Sequence, residues 1–331
     1  MALTPRVVVV GLGSIGRRHA RLLHARGDLT VELCEPEPGN LKLAIQEVGR
    51  LPNHRSYAEA LATDPDMMVI ATPHDLHGEQ TVQALDRHIH VLCEKPMSDR
   101  LEDAKDMQRA ARRSRAVLSI GFMLHFHPLA RRLKQILAEG VLGTVLQVHY
   151  SVGSYITLVN SRSRYQSSLE GALLLDYAHQ PDLIYWLLGE KPSGVYMAAT
   201  QGGRFEFTST PNVLALVCDY QRPLLTTIHL NYAQMPQRSA CEIIGDRGWA
   251  LAEIERMSLR LGLRTDASER GETLAVDRDD LYRAEHQAFL DAIAGRREPS
   301  SPANEAIVSM EIADAALRSW REQRRVELRG T

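Results

Sequence analysis

Cysteine is scarce in this chain and scattered: Cys34, Cys93, Cys218 and Cys241 lie far apart and form no CxxC pair. That argues against a disulfide framework or a thiolate zinc site and favours free thiols in a reduced compartment. An excess of one charge sign is lacking as well. The 39 lysines and arginines and 41 acidic residues are spread through the sequence and leave a net charge of −2. No whole-chain field therefore gathers nucleic acid or an anionic membrane, and the expected partner is a small molecule. Long apolar runs are missing: no stretch approaches the ~20 residues that a membrane span needs. The opening MALTPRVVVVGLG has an apolar run too short for a signal segment, which makes the cytoplasm the expected location. Repeats and low-complexity tracts are absent too. What remains is a 331-residue chain, long enough for two compact domains with a core each.

From Arg6 to Gly121 short β-branched runs alternate with amphipathic stretches. Val7–Val10, Thr30–Cys34, Met67–Ile70, Ile89–Cys93 and Val117–Ile120 read as strands, and their alternation with helices predicts a parallel, doubly wound sheet. After Phe122 the pattern changes. A helix over His127–Glu139 leads into a long strand over Thr144–Tyr155. Strand-like runs then follow at Gly194–Ala199, Val213–Tyr220, Leu224–Tyr232, Ala240–Ile244 and Trp249–Ile254, joined by turns such as Gln221–Pro223 and Gly245–Gly248. These predict a mostly antiparallel sheet, closed by helices near Leu281–Ala294 and Asn304–Arg321. The predicted class is α/β, an N-terminal domain over 1–123 followed by an α+β domain over 124–331, whose last helix can pack back on the first.

The strand Val7–Val10 runs into Gly11-Leu12-Gly13-Ser14-Ile15-Gly16 and then into a helix, the context that a dinucleotide-binding GxGxxG requires. Gly11 permits the tight turn, Gly13 lets backbone approach a pyrophosphate, and Gly16 lets helix and strand pack closely. The N–H groups of Ser14 and Ile15 open the helix toward the phosphates. Such a turn can also be merely structural. Glu35 ends the second strand, 19 positions after Gly16, where a carboxylate accepts hydrogen bonds from the adenosine ribose and repels a 2′-phosphate. NAD is therefore expected in preference to NADP. Ala71-Thr72-Pro73 and Glu94-Lys95-Pro96 follow two further strands, at the carboxyl ends where ligands bind in a Rossmann domain. His77 is placed at the cofactor loop.

The segments VVVVGLGSIGRRHARLL, VIATPHDLHGEQ, VLCEKPMS, GFMLHFHPLARRLK and GALLLDYAHQPDLIYWLLG together resemble the Gfo/Idh/MocA oxidoreductases over nearly the whole chain. The resemblance implies a Rossmann domain followed by a substrate-binding domain whose open sheet often forms the oligomer contact, hence a homodimer or homotetramer. It also implies that Lys95, Asp176 and His179 line the site, with Lys95 beside the nicotinamide and His179 as proton acceptor. Two departures stand out. Asp176-Tyr177-Ala178-His179 spaces aspartate and histidine by three steps where the common pattern has four, a form similar to a subset associated with modified or nucleotide-linked sugars. His125 stands where many relatives carry arginine.

Dehydrogenation needs a base for the hydroxyl proton and a donor for the reacting oxygen. His179 suits the first role near neutral pH, and on a helix Asp176 and Asp182 lie three residues to either side, able to orient it. Pro181 is expected to disturb that helix near Tyr177. Lys95 suits the second role. The polar segment Ser154–Leu169 offers Tyr155, Arg162, Arg164 and Tyr165, of which Tyr155 and Arg164 are the preferred substrate contacts, together with His125 and Asp176. His74, His77, His125 and His127 complete no recognised zinc pattern, so no metal is expected. The expected activity is oxidation of a secondary hydroxyl on a sugar, sugar derivative or cyclitol, or reduction of the matching ketone. Two alternatives stay open: glycoside cleavage through transient oxidation, and a regulator that senses NAD or sugar without turnover.

Overall fold

The computed structural model describes residues 4–155, 169–205 and 210–328. The chain divides into two compact units, Met1–Met123 with Asp277–Met310, and Leu124–Val276 with Glu311–Thr331.

The first unit opens with β1 (Arg6–Val10), α1 (Ser14–His24), β2 (Thr30–Cys34), α2 (Pro38–Val48), β3 (Asn53–His54) and α3 (Tyr57–Ala62). It continues with β4 (Met67–Ile70), α4 (His74–Asp86), β5 (His90–Glu94), α5 (Leu101–Arg113) and β6 (Leu118–Gly121). The strands form one sheet in the order β3-β2-β1-β4-β5-β6, every pair parallel. Val7–Val10 and Met67–Ile70 are buried at every position, because helices cover both faces of a parallel sheet and unbroken apolar runs result. In α1 the buried positions are Gly16, His19, Ala20, Leu22 and Leu23, a helical stripe whose one polar member, His19, becomes important below. Strand order reverses between β1 and β4, which opens a crevice at the carboxyl ends of these strands.

In the second unit a short 3₁₀ turn (Met123–Phe126) leads into α6 (Pro128–Ala138), β7 (Val145–Gly153), α7 (Ala172–Asp176) and α8 (His179–Leu188). Then come β8 (Gly194–Thr200), β9 (Val213–Asp219), β10 (Leu225–Asn231), β11 (Arg238–Gly245), β12 (Gly248–Glu253), β13 (Ser258–Leu263) and β14 (Arg270–Thr273). With β15 (Val326–Glu327) they make a nine-stranded sheet in the order β14-β13-β12-β11-β7-β10-β9-β8-β15. It is antiparallel except where β10 lies parallel to β7. Side chains alternate: Leu214, Leu216, Ile228 and Leu230 are buried, whereas Val213, Val217 and Leu225 on the same strands are exposed, so one face packs and the other is open. The expected fold class is observed, with strands β3, β13, β14 and β15 added to those read from the sequence. SLRLGL alternates and buries Leu259 and Leu261, whereas RGET offers no apolar position to read.

Two long helices follow, α9 (Arg278–Ile293) and α10 (Ala303–Glu322). Helix α9 belongs to the first unit, where Phe289 joins Leu12, Ala20, Leu23, Leu33 and Val69 in one core cluster. Its buried face also carries Glu285 and His286.

Candidate active-site residues

In the first unit the glycine loop has the shape its sequence requires. Gly11 has φ +82°, and a Cβ on Gly16 would fall 1.7 Å from the Gly11 carbonyl oxygen, so neither tolerates a side chain. Gly13 is different: a Cβ there would have nothing within 4 Å. Gly13 leaves room above the loop, and packing inside it sets no limit there. No side chain caps the start of α1, which leaves the amides of Ser14 and Ile15 at a helix N-terminus able to hold a phosphate. Glu35 is 5% exposed. Its carboxylate accepts the Leu12 N–H at 2.7 Å and the Glu37 N–H at 3.0 Å, so it braces the glycine loop from the end of β2 and has lone pairs left for further donors.

The two loops after β4 and β5 are joined by one buried ring. His77 Nδ1 lies 2.9 Å from the Pro96 carbonyl, and Nε2 lies 2.9 Å from the Thr72 carbonyl. Carbonyls only accept, so both nitrogens carry protons and His77 is an imidazolium. Burial opposes that charge, yet Cys93 beside it and the two carbonyls raise its pKa to about 9. Its neighbour His74 goes the other way, to about 3, through burial and the nearby positive charges of His77 and Lys95. Thr72 is fixed further by its hydroxyl, which donates to Gln80 Oε1 at 2.7 Å; Ala71 continues the sheet by donating to the Val10 carbonyl, and Pro73 caps α4. In the Glu94-Lys95-Pro96 segment Lys95 is half-buried, and its own N–H donates to Glu94 Oε2 at 3.1 Å.

In the second unit Asp176 and His179 do not share a helix, contrary to the sequence reading. Asp176 ends α7, Tyr177 leaves helical geometry with φ −102° and ψ 35°, and His179 begins α8. Pro181 sits in the first turn of α8, where a missing N–H costs no helical bond, and Tyr177 and Ala178 form the break. Asp182 has a partner that the sequence reading did not assign to it. Asp182 accepts from His125 Nε2 at 2.8 Å, both side chains buried, and burial raises the Asp182 pKa against the pull of His125. His125 stacks on Trp186, with centroids 4.7 Å apart and an interplanar angle of 15°. Here it stands as a buried member of an aromatic pair.

Tyr232, which the sequence reading did not single out, follows β10 and donates its hydroxyl to Asp176 Oδ2. Burial and the aspartate raise the phenol pKa well above its ordinary value, so the tyrosine remains a donor. Fifty-six positions separate the two residues, and nothing local in the sequence links them. Tyr155 pairs its ring with Phe205 at 5.7 Å, while its N–H donates to the Gln234 carbonyl at 2.9 Å. Arg162, Arg164 and Tyr165 lie outside the described residues.

Comparison with known proteins agrees with this architecture. The GFO/IDH/MocA model for an oxidoreductase family with an NAD-binding Rossmann fold matches residues 5–122, and the model for the GFO/IDH/MocA C-terminal domain matches residues 130–251. Inositol 2-dehydrogenase 2 of Paenarthrobacter aurescens (strain TC1) is 27% identical over 328 residues, 95% of each protein. The 1,5-anhydro-D-fructose reductase of Ensifer adhaerens is 26% identical over 266 residues, 79% of this chain and 80% of the relative. Levoglucosan dehydrogenase, solved in complex with NADH and levoglucosan, superposes with a TM-score of 0.88 at 20% identity, covering 98% of this chain and 100% of that one. Both units are thus accounted for, the parallel sheet and the mostly antiparallel one, and the chain belongs to the Gfo/Idh/MocA family of oxidoreductases.

Proposed function

We propose that this chain is an NAD-dependent dehydrogenase that oxidises a secondary hydroxyl of a sugar, sugar derivative or cyclitol, or reduces the matching ketone. The observation that carries the reading is Lys95, half-buried on the loop after β5, one strand from the switch point and held there by the Glu94 carboxylate. The relatives' names supply the substrate class: an inositol, an anhydrofructose and levoglucosan.

The first unit fits a dinucleotide. Gly13 leaves clear space above the loop, the start of α1 presents uncapped amides, and Glu35 places a carboxylate beside Leu12. When bound, the nicotinamide supplies or accepts the hydride. The residues of the chain do the rest. Gly11, Gly13, Ser14, Ile15 and Gly16 hold the pyrophosphate, and Ala71, Thr72, Pro73 and Glu94 line the loops kept in place by His77. Lys95 donates a hydrogen bond to the reacting oxygen as charge develops on it. His179 takes the hydroxyl proton, and Asp176, with Tyr232 donating to it, orients the substrate. Tyr155, Arg164 and His125 are assigned to the substrate side. Glu35 disfavours a 2′-phosphate, so NAD is the preferred cofactor.

No helix among the described residues is long and apolar enough to cross a membrane, and the four cysteines are buried free thiols. Both support a cytoplasmic protein. The open face of the second sheet exposes Tyr196, Val213, Val217 and Leu225, an apolar surface suited to a second copy of the chain in a homodimer or homotetramer.

The decisive experiment follows NADH formation across inositols, free sugars, uronates and nucleotide sugars. A substrate is expected in this set. Lys95→Ala and His179→Ala should each lower kcat by roughly 10²- to 10⁴-fold while the NADH dissociation constant changes little. Cleavage of a glycoside without net NADH would favour transient oxidation instead. NAD binding with no turnover of any compound would favour a sensor.

A further inference from the structure

Behind the glycine loop and the Lys95 loop, the first unit buries four titratable side chains in one place. His19 from α1, Glu94 from the end of β5, and Glu285 and His286 from α9 are 0, 8, 1 and 1% exposed. His19 Nδ1 lies 2.7 Å from His286 Nε2, and His19 Nε2 lies 3.0 Å from Glu94 Oε1. The second Glu94 oxygen accepts the Lys95 N–H. Ligand atoms of His19, Glu94 and Glu285 all lie within 4.8 Å of one another. Both Glu285 oxygens are buried without a hydrogen-bond partner.

Two carboxylates this close in a buried site do not both ionise, because each charge repels the other and neither is solvated. The donors decide which one keeps its charge. Glu94 has His19 on one oxygen and a backbone amide on the other, whereas Glu285 has neither. An ionised Glu94 only accepts, so His19 Nε2 carries a proton and Nδ1 is free to accept one from His286 Nε2. That leaves His286 Nδ1 as a bare nitrogen, and it is indeed a buried atom without a partner. The other groups near the cluster are consistent. Tyr282 meets His19 edge-on at 5.3 Å, Arg18 lies over the Tyr282 ring at 5.3 Å, and Lys95 and Arg26 add positive charge beside Glu94 and His286 respectively.

We propose that Glu94 and Glu285 form a one-proton carboxyl pair, Glu285 as the neutral acid and Glu94 as the carboxylate, and that His286, His19 and Glu94 act in series as positioning residues for Lys95. Burial opposes the charge on Glu94, but the hydrogen bond from His19 and the nearby Lys95 hold its pKa low. Burial and the Glu94 charge drive Glu285 far up. Burial, with the nearby Arg26, keeps His286 neutral. The positioning half of the proposal rests on the assignment of Lys95 to catalysis; the carboxyl pair does not.

The pair is read directly by infrared spectroscopy of the full-length chain in D₂O near pH 7. The carbonyl stretch of a protonated carboxylic acid is expected in the wild-type protein and absent from Glu285→Gln. A wild-type spectrum without that band overturns the proposal even if no variant folds. So does a band that survives in Glu285→Gln, or one equivalent of a divalent metal in the acid-digested wild-type protein, since the same atoms could ligate a cation. For the positioning role, His19→Ala should lower kcat at least tenfold with less than a threefold change in the NADH dissociation constant. His19→Gln, which keeps a donor toward Glu94, should recover most of that loss. Equal losses in both variants, or parallel loss of NADH binding, would show a structural residue only. Retained turnover in Lys95→Ala would instead defeat the functional reading and leave the infrared result standing.

Discussion

The two sheets hold their site residues in different ways. In the first unit the loop residues are fixed by short local bonds from their own amides: Gly11 N–H to the Cys34 carbonyl and Ala71 N–H to the Val10 carbonyl on adjacent parallel strands, and Lys95 N–H to the carboxylate of the preceding Glu94. In the second unit the proposed site residues are fixed by side chains that arrive from far along the chain. His125 meets Asp182 over 57 positions, and Tyr232 meets Asp176 over 56. A parallel βα unit brings its functional loop to the sheet edge by local connectivity. An antiparallel sheet with helices beside it must use tertiary contacts, which leave no local pattern.

The sharpest way to break this comparison is to remove one such tertiary contact. Asp182→Leu strands His125 in a buried setting, and losing one partner of a buried pair costs about 3–5 kcal/mol. Urea unfolding should show that loss. The double variant His125→Leu/Asp182→Leu should recover part of it, because both polar groups then leave together. A loss below about 1 kcal/mol in the single variant would mean that the second unit does not depend on this pair.

The first unit has comparable side-chain clamps in Glu35 and His77, and pH separates His77 from the backbone connections around it. Its folded pKa of about 9 lies above the ordinary value of 6.5. Below 6.5 the ring is charged in both folded and unfolded chains, and its stabilisation is fully present. As pH rises toward 9 the unfolded chain has already lost the proton, so the advantage declines, and it is gone above the folded value. The shift corresponds to about 3 kcal/mol. Between pH 6 and 9.5 the wild-type protein should lose about that much more stability than His77→Gln. Parallel stability curves would show that His77 is not an imidazolium.

The same contrast explains what was legible in the sequence. Gly11, Gly13, Gly16, Glu35 and Lys95 occupy loop positions fixed by strand–turn–helix grammar, and the alternation of strands and helices was enough to place them. The nine-stranded sheet was readable in outline because Val213–Asp219 and Leu225–Asn231 alternate cleanly in burial. Its edge strands were not: SLRLGL was passed over despite its alternation, and RGET carries no apolar residue to mark it. The break at Tyr177 was anticipated from Pro181, yet the proline itself is accommodated, and a single helical flank for Asp176, His179 and Asp182 was the wrong geometry. His19, Glu285 and Tyr232 escaped because their importance lies in partners 75 positions away, on another element of the unit, or at the end of a helix 56 positions earlier. A buried histidine on an apolar helix stripe was the only signal, and periodicity alone reads such a residue as core.

Glycine substitutions test whether the first unit's loop separates folding from binding. Gly16→Ala drives a methyl group into the Gly11 carbonyl, and overpacking of this kind costs about 1–3 kcal/mol. Gly13→Ala meets no protein atom and should change stability by only a few tenths of a kcal/mol, roughly the scale of an N-cap exchange involving glycine. It should nevertheless weaken NADH binding on the order of tenfold, or about 1.4 kcal/mol, if the pyrophosphate lies over that position. Calorimetry and fluorescence titration of both variants give the two quantities independently. Unchanged NADH affinity in a stably folded Gly13→Ala protein would remove the glycine loop from the binding site.

The smallest effect belongs to Glu35, for which a second duty is proposed beside the one the structure shows. As a brace it accepts the Leu12 and Glu37 amides; as the proposed selector it would set a negative charge where NADP carries a phosphate. Glu35→Gln keeps one acceptor oxygen and loses the charge. The lost bond should cost about 1 kcal/mol, whereas the ratio of kcat/KM for NAD to that for NADP should fall roughly tenfold, the scale of a like-charge pair ~4 Å apart near water. Stability and selectivity therefore move for different reasons. If stability falls and the ratio does not move, Glu35 serves the loop alone, and the first unit would resemble the second in using a buried side chain purely to hold its backbone.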